Sequence, residues 1–252
     1  MTGLHVRAMA VWTPRFPSLD AWRARAASEP STPAAAILGA RARGRASMLT
    51  RMISEVATSA AHAAAVELGR VPLIVGSAYG EMETTSQLLT MMGEGDGTLS
   101  PARFQSSVHN AAAGLLSITT GNQGFSTCIA AGDATAAALL IEAQAWLAEH
   151  GGAVLVILAE ERLPGFFAHN ETFEPAAAAL VLSAAPDSAL AELEMGQRVP
   201  GVAVRAEHPE LGRTPVAPLL ALIDAVSDAE SDVLVPAFSA ALRIVLRYKA
   251  AP

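Results

Sequence analysis

Apolar positions along this chain alternate between short β-compatible runs and longer stretches at helical spacing. A largely apolar run over residues 6–12, closed by Thr13-Pro14, predicts a buried strand. Pro30 and Pro33 break the following segment, leaving a helix over 19–27 and then a loop. Met48, Met52, Ile53, Val56, Ala60, Ala63 and Ala64 recur at helical spacing over 47–68, with Gly69 placed as a cap. Val71-Pro72-Leu73-Ile74-Val75 then runs into Gly76-Ser77-Ala78-Tyr79-Gly80, a strand entering a glycine turn before a helix over 82–92. A mobile surface loop rich in Gly, Asp, Thr and Ser is expected over 93–101. Beyond it the pattern predicts a helix over 106–119, a strand over 125–131 and a long helix over 134–150. That last helix is apolar on nearly every face, which predicts burial on most sides. Strand-like runs follow at 154–159, 177–183 and 190–195, then a helix over 218–226. A final strand over 242–248 carries outward charges at Arg243, Arg247 and, just beyond it, Lys249. Strands alternating with helices in this way imply a layered α/β fold with helices on both faces of the sheet.

Composition narrows the possibilities. In 252 residues, 52% hydrophobic and 16% charged, there is material for a sizeable core. A formal net charge of -7 without any Lys/Arg run argues against a nucleic-acid surface. The basic cluster Arg41, Arg43, Arg45 and Arg51 reads as a solvated helix face. A single cysteine excludes an internal disulfide framework and fits a reducing compartment. Glu142, Glu149 and His150 interrupt the longest apolar segment before it reaches membrane-spanning length, and the N-terminus lacks a secretory pattern. A soluble, cytoplasmic protein is expected. The turn after Val75 lacks G-x-G-x-x-G, so dinucleotide binding is not expected.

Two blocks carry chemistry. Ser107-Val108-His109-Asn110-Ala111-Ala112-Ala113-Gly114 and Ser126-Thr127-Cys128-Ile129-Ala130-Ala131-Gly132-Asp133 resemble the helix and nucleophile strand of β-ketoacyl-acyl-carrier-protein synthases. More narrowly, the chain resembles the short ketosynthase-like proteins that act as chain-length factors beside active ketosynthases in aryl polyene-type biosynthesis. The resemblance covers residues 6–195 and is strongest over 71–161. It implies a thiolase-like fold, the N-terminal half of the condensing-enzyme fold, layered α/β/α around a mixed sheet. That half occupies 1–196, with 197–252 as a C-terminal extension packing on the same domain.

Condensing enzymes place a cysteine thiolate where the strand meets the next helix. Aligned without gaps, this chain has Asp133 there; a gapped alternative puts Ile129 there, and neither side chain can hold a thioester. The two histidines such enzymes use come from the second half of the fold, for which this chain has no room. The resemblance therefore implies no catalytic residue, no cofactor and no metal. It implies instead a non-catalytic subunit that heterodimerises with an active β-ketoacyl-acyl-carrier-protein synthase and shapes its acyl pocket, with acyl carrier protein as a further partner. Tyr79, with Met82 and Ser86 on the next helix, falls where the family's bulky turn residue enters the partner's tunnel; a tyrosine packed on the sheet is the other reading. His109 and Asn110 would line the interface or a shared cavity, or His109 is a satisfied buried histidine. Phe125 and Cys128 lie on the interface strand, Cys128 reading as a small hydrophobe with no cation beside it. Asp133 suits the N-cap of the helix that follows.

Two other functions compete. An acyltransferase or hydrolase would use Ser107 or Ser126 with His109 and Asp133, but G-x-S-x-G is absent, and Ser and His two apart on a helix diverge. A carrier-protein-binding scaffold would use the arginines between Arg41 and Arg51 against an acidic partner.

Overall fold

The computed structural model describes residues 3–94, 99–165, 167, 173–200, 208–237 and 240–248. In chain order its elements are β1 (Leu4–Trp12), α1 (Leu19–Arg23), α2 (Ala40–Arg43), α3 (Met48–Ala63), β2 (Leu73–Gly76), α4 (Met82–Glu94), α5 (Pro101–Ser106), α6 (Ala111–Thr120) and β3 (Ser126–Ile129). A single 3₁₀ turn (Gly132–Ala134) leads into α7 (Thr135–His150), β4 (Ala153–Glu160), β5 (Ala176–Ser183), β6 (Ala191–Pro200), α8 (Ala217–Ser227), β7 (Asp232–Ala237) and β8 (Ala240–Arg247). These strands join in one mixed sheet, ordered β3-β2-β4-β5-β1-β6-β8-β7. β3, β2 and β4 are parallel, and the remaining pairings are antiparallel.

β4 and β5 lie inside the sheet with helices over both faces, which is why they read as unbroken apolar runs without alternation. Val154, Val156 and Leu158 of β4 face the layer that holds α1, α7 and α8. Leu155, Ile157 and Ala159 face the layer of α3 and α6. In β1 a register shift between Val6 and Ala8 displaces the alternation by one residue, so Leu4 and Val6 share their layer with Met9 and Val11.

The sheet curves far enough for β7, at the end opposite β3, to touch both α7 and the 3₁₀ turn. Helix α7 is thus enclosed between β2 and β4 on one side and β7 on the other, and this enclosure explains its lack of a polar face. Leu139 and Leu140 are wholly buried there. Close approach is written into β2: a Cβ on Gly76 would lie 2.6 Å from Leu139 Cδ1 and 2.9 Å from Thr135 Cγ2. The boundary expected at 196/197 falls inside β6, a strand that pairs with β1 on one edge and β8 on the other. Asp224 of α8 accepts a 2.7 Å bond from the Trp22 indole of α1, joining the chain's two ends.

Several local expectations need correction. α1 stops at Arg23 because Ala24 caps it and Arg25 turns to φ 51°. α3 stops at Ala63, with Ala65 at φ 53° supplying the left-handed residue expected of Gly69. The helix expected over 106–119 is two helices: the Ser107 hydroxyl donates to the Phe104 carbonyl at 2.8 Å at the end of α5, and α6 begins only at Ala111. His109 therefore stands in a loop. α4 runs on to Glu94, and residues 95–98 of the expected mobile loop lie outside the described residues. β7 was not expected; it carries Pro236, whose missing N–H is tolerated because the strand lies at the sheet's edge. Arg41 and Arg43 sit on α2, whereas Arg51 sits half-buried on α3, so the basic cluster is not one helix face. Arg243 and Arg247 do point outward and pair with Asp232 and Glu194, while Lys249 and residues 201–207 lie outside the described residues.

Candidate functional site

Parallel strands β3, β2 and β4 end side by side, and the crevice beyond such C-terminal ends is where layered α/β folds place their chemistry. The loop leaving β2 at Gly76 is the tight turn Ser77-Ala78-Tyr79-Gly80. Ser77 Oγ accepts the Gly80 amide at 2.8 Å and donates to Glu160 Oε2 at 3.0 Å. The Ala78 amide donates to the other Glu160 oxygen. From the opposite side His109 Nε2 lies 2.8 Å from the Ser77 carbonyl, which can only accept, so that nitrogen carries the proton. Gly80 takes φ 69°, and a Cβ there would sit 3.1 Å from His109 Cδ2. The Tyr79 side chain leaves this turn 38% exposed, its ring stacked at 6.1 Å on Phe173.

Three buried carboxylates support the turn, and sequence reasoning missed all of them. Glu160 has no exposed surface, and burial pushes its carboxyl up to about 8 against the pull of its bonds to Ala78, Ser77 and Tyr79. Glu161 accepts from the Glu83 amide at 2.9 Å; burial pushes it up to about 7, with the nearby Glu81 adding to the rise. Glu81 accepts from Ser47 Oγ at 2.9 Å and Thr50 Oγ1 at 3.0 Å, and burial raises it as well. A pair of glutamates closing a continuous apolar strand was the available signal, because charges at that place must find partners within the fold.

The elbow after β3 is Ala130-Ala131-Gly132-Asp133. Asp133 is not the cap expected for the long helix: neither the 3₁₀ turn nor α7 has a side-chain cap bond. Thr135 ties the elbow instead, its hydroxyl accepting from the Ala131 amide at 3.0 Å and donating to the Gly132 carbonyl at 2.7 Å. The Asp133 carboxylate pairs with Arg213 at 3.3 Å, both side chains half-exposed. Arg213 follows Gly212, whose backbone bridges to Phe173, so the elbow and the Tyr79 turn are connected through this aromatic contact.

The sequence matches the family described as β-ketoacyl synthase, N-terminal domain, over residues 20–239. This chain belongs to that family. No curated protein matches it in sequence. It superposes on a chain of the complex of a ketosynthase with its chain length factor from Xenorhabdus doucetiae, with TM-score 0.76 and 19% identity, covering 97% of this chain and 100% of that one. A type II polyketide synthase acyl-carrier protein in complex with its ketosynthase gives TM-score 0.74 and 13% identity over 98% of this chain and 99% of that one. A β-ketoacyl synthase from Burkholderia phymatum STM815 gives TM-score 0.68 and 12% identity over 99% and 100%. The fold is the thiolase-like ketosynthase fold.

Within this ketosynthase-like chain the other expected site residues are spread about the same region. Met82 and Ser86 lie half-buried one turn apart on α4. Asn110 is exposed and precedes α6 without a side-chain cap bond. Phe125 flanks β3 and stacks on Trp146 at 4.0 Å. Cys128 lies within β3, half-buried, and burial pushes its thiol up to about 11. Ser126 is exposed in β3, and the Ser107 hydroxyl is spent on a carbonyl. β3 ends the sheet, and beside it α6 exposes Ile118 (81%), α7 exposes Ile141, and the loop before α6 exposes Val108. Among the described residues no group of His, Cys, Asp and Glu fits a metal ion, and no helix is long and apolar enough to cross a membrane.

Proposed function

We propose that this chain is the non-catalytic, chain-length-factor-like half of a heterodimer with an active β-ketoacyl-acyl-carrier-protein synthase, serving polyene or fatty-acid-type (type II polyketide) synthesis. The observation that carries the reading is the elbow. Where a ketosynthase presents a thiolate, this chain presents Asp133, engaged by Arg213. Cys128 cannot substitute, since it lies five residues earlier on the strand and its burial disfavours the thiolate. The Ser/His alternative finds no support in the geometry, because His109 Nε2 is bonded to the Ser77 carbonyl and the Ser107 hydroxyl to the Phe104 carbonyl.

The exposed strand edge flanked by Ile118 and Ile141 supplies the docking face. An unpaired edge with apolar neighbours is a liability for a lone chain and an asset for an obligate partner. Tyr79, Met82 and Ser86, beyond the ends of β2 and β4, form the wall that enters the partner's pocket, with His109, Asn110, Phe125 and Cys128 on the contacting side. Acyl carrier protein docks on the resulting pair.

The test is co-expression with a candidate ketosynthase, followed by incubation with radiolabelled acyl-acyl-carrier protein. A co-purifying pair is expected, with label on the ketosynthase subunit alone. Label trapped on any side chain of this chain, or condensation by this chain in isolation, refutes the proposal.

A further inference from the structure

Glu160 has an unusual set of neighbours for a wholly buried carboxyl. Among the described residues no cation pairs with it, and its bonds go to the Ser77 hydroxyl and the backbone amides of Ala78 and Tyr79. A buried carboxyl without a cation lowers stability relative to an apolar side chain of similar volume, so packing alone does not account for it. What it does is satisfy the amides of a turn too tight to satisfy them itself. Ser77 Oγ, oriented by Glu160, takes the Gly80 amide in turn. His109 grips the Ser77 carbonyl from the other side and would crowd a Cβ at Gly80, 3.1 Å from its Cδ2. The turn is therefore clamped between the end of β4 and the loop before α6. The exposed ring of Tyr79 is the one large side chain it displays.

We infer that Glu160 is the positioning residue of Tyr79: through the backbone of the Ser77–Gly80 turn it fixes where that ring stands, and so the depth of the acyl pocket. The pocket clause rests on the proposed chain-length role; the positioning clause does not.

Two measurements separate them. The chain has two tyrosines, Tyr79 and Tyr248, so 3-fluorotyrosine labelling yields two ¹⁹F resonances, and Tyr248, bonded to the Ala225 carbonyl, serves as internal reference. Glu160→Ala is expected to shift or broaden the Tyr79 resonance and leave that of Tyr248 in place. Glu160→Gln, which keeps an oxygen for the Ala78 amide, should restore it. Ser77→Ala, which removes the hydroxyl's bonds to Glu160 and to the Gly80 amide but keeps the bond from the Ala78 amide to Glu160, should move it in the same direction by less, and stands in if Glu160→Ala does not fold. In the reconstituted pair Glu160→Ala and Tyr79→Ala should both shift products toward longer chains, with Glu160→Gln unchanged. An unmoved Tyr79 resonance in Glu160→Ala, or in Ser77→Ala where that variant stands in, overturns the positioning role, as does a product shift in Tyr79→Ala that Glu160→Ala fails to reproduce. If the resonance moves but Tyr79→Ala leaves product lengths unchanged, positioning holds and the chain-length role of Tyr79 falls.

Discussion

Single side chains at the ends of β2 and β4 set how this protein answers to pH. Carboxyls that titrate near 4.5 in an unfolded chain are held protonated up to about 8 at Glu160 and about 7 at Glu161 by burial. Between those limits these two carboxyls bind more protons in the native state than in the unfolded state, so their contribution to stability is fully present below about pH 4.5 and is lost as pH rises to about 8. Burial of His208 lowers its pKa and acts in the opposite sense. The difference between wild type and Glu160→Gln isolates Glu160: in urea unfolding from roughly pH 5 to 9, Glu160→Gln should lose part of the downward slope, on the order of a few kcal/mol. An identical slope in both proteins would show that Glu160 is ionised throughout. The two glutamates closing β4 were the legible sign of buried charge, but which turn receives them depends on contacts the chain does not spell out. Asp133 was legible as an acidic residue at the elbow, yet its partner Arg213 is 80 residues away in sequence and no local pattern announces it.

Helices and strands were more legible than their ends. Periodicity located α3, α7 and α8 and the inner strands, since each buries a face whose spacing the backbone imposes. The division of α5 from α6 escaped notice because Ser106, Ser107, His109 and Asn110 suit an exposed helical face as well as a turn, and β7 went unread although its Pro236 is compatible with an edge strand. The contact of α7 with β2 makes a direct prediction. Gly76→Ala puts a methyl within 2.6 Å of Leu139 Cδ1, so it should destabilise the chain by about 1 to 3 kcal/mol in thermal or urea unfolding. A neutral result would mean that α7 stands off from the sheet.

The whole molecule is a layered sheet whose β7 end packs on α7 and the 3₁₀ turn and whose β3 end has exposed apolar neighbours. β7 carries Asp232 paired with Arg243, whereas β3 is flanked by Ile118 and Ile141. Ile118→Glu should abolish co-purification with the proposed ketosynthase partner while leaving the melting temperature of the lone chain unchanged, because a side chain 81% exposed contributes little to folding. Retention of the complex in a pull-down would move the interface elsewhere. Hydrophobic periods and unbroken apolar runs were enough to determine the α/β class and the inner strands, and the motif blocks at 107–114 and 126–133 pointed to the family by resemblance, since both are properties of neighbouring residues. Only the folded chain decided that the sheet curves around α7, that Glu160 and His109 clamp one turn from opposite sides, and that Arg213 meets the elbow. Those outcomes depend on which distant segments come together as the core closes, and contacts at long separation leave no periodic trace in the chain.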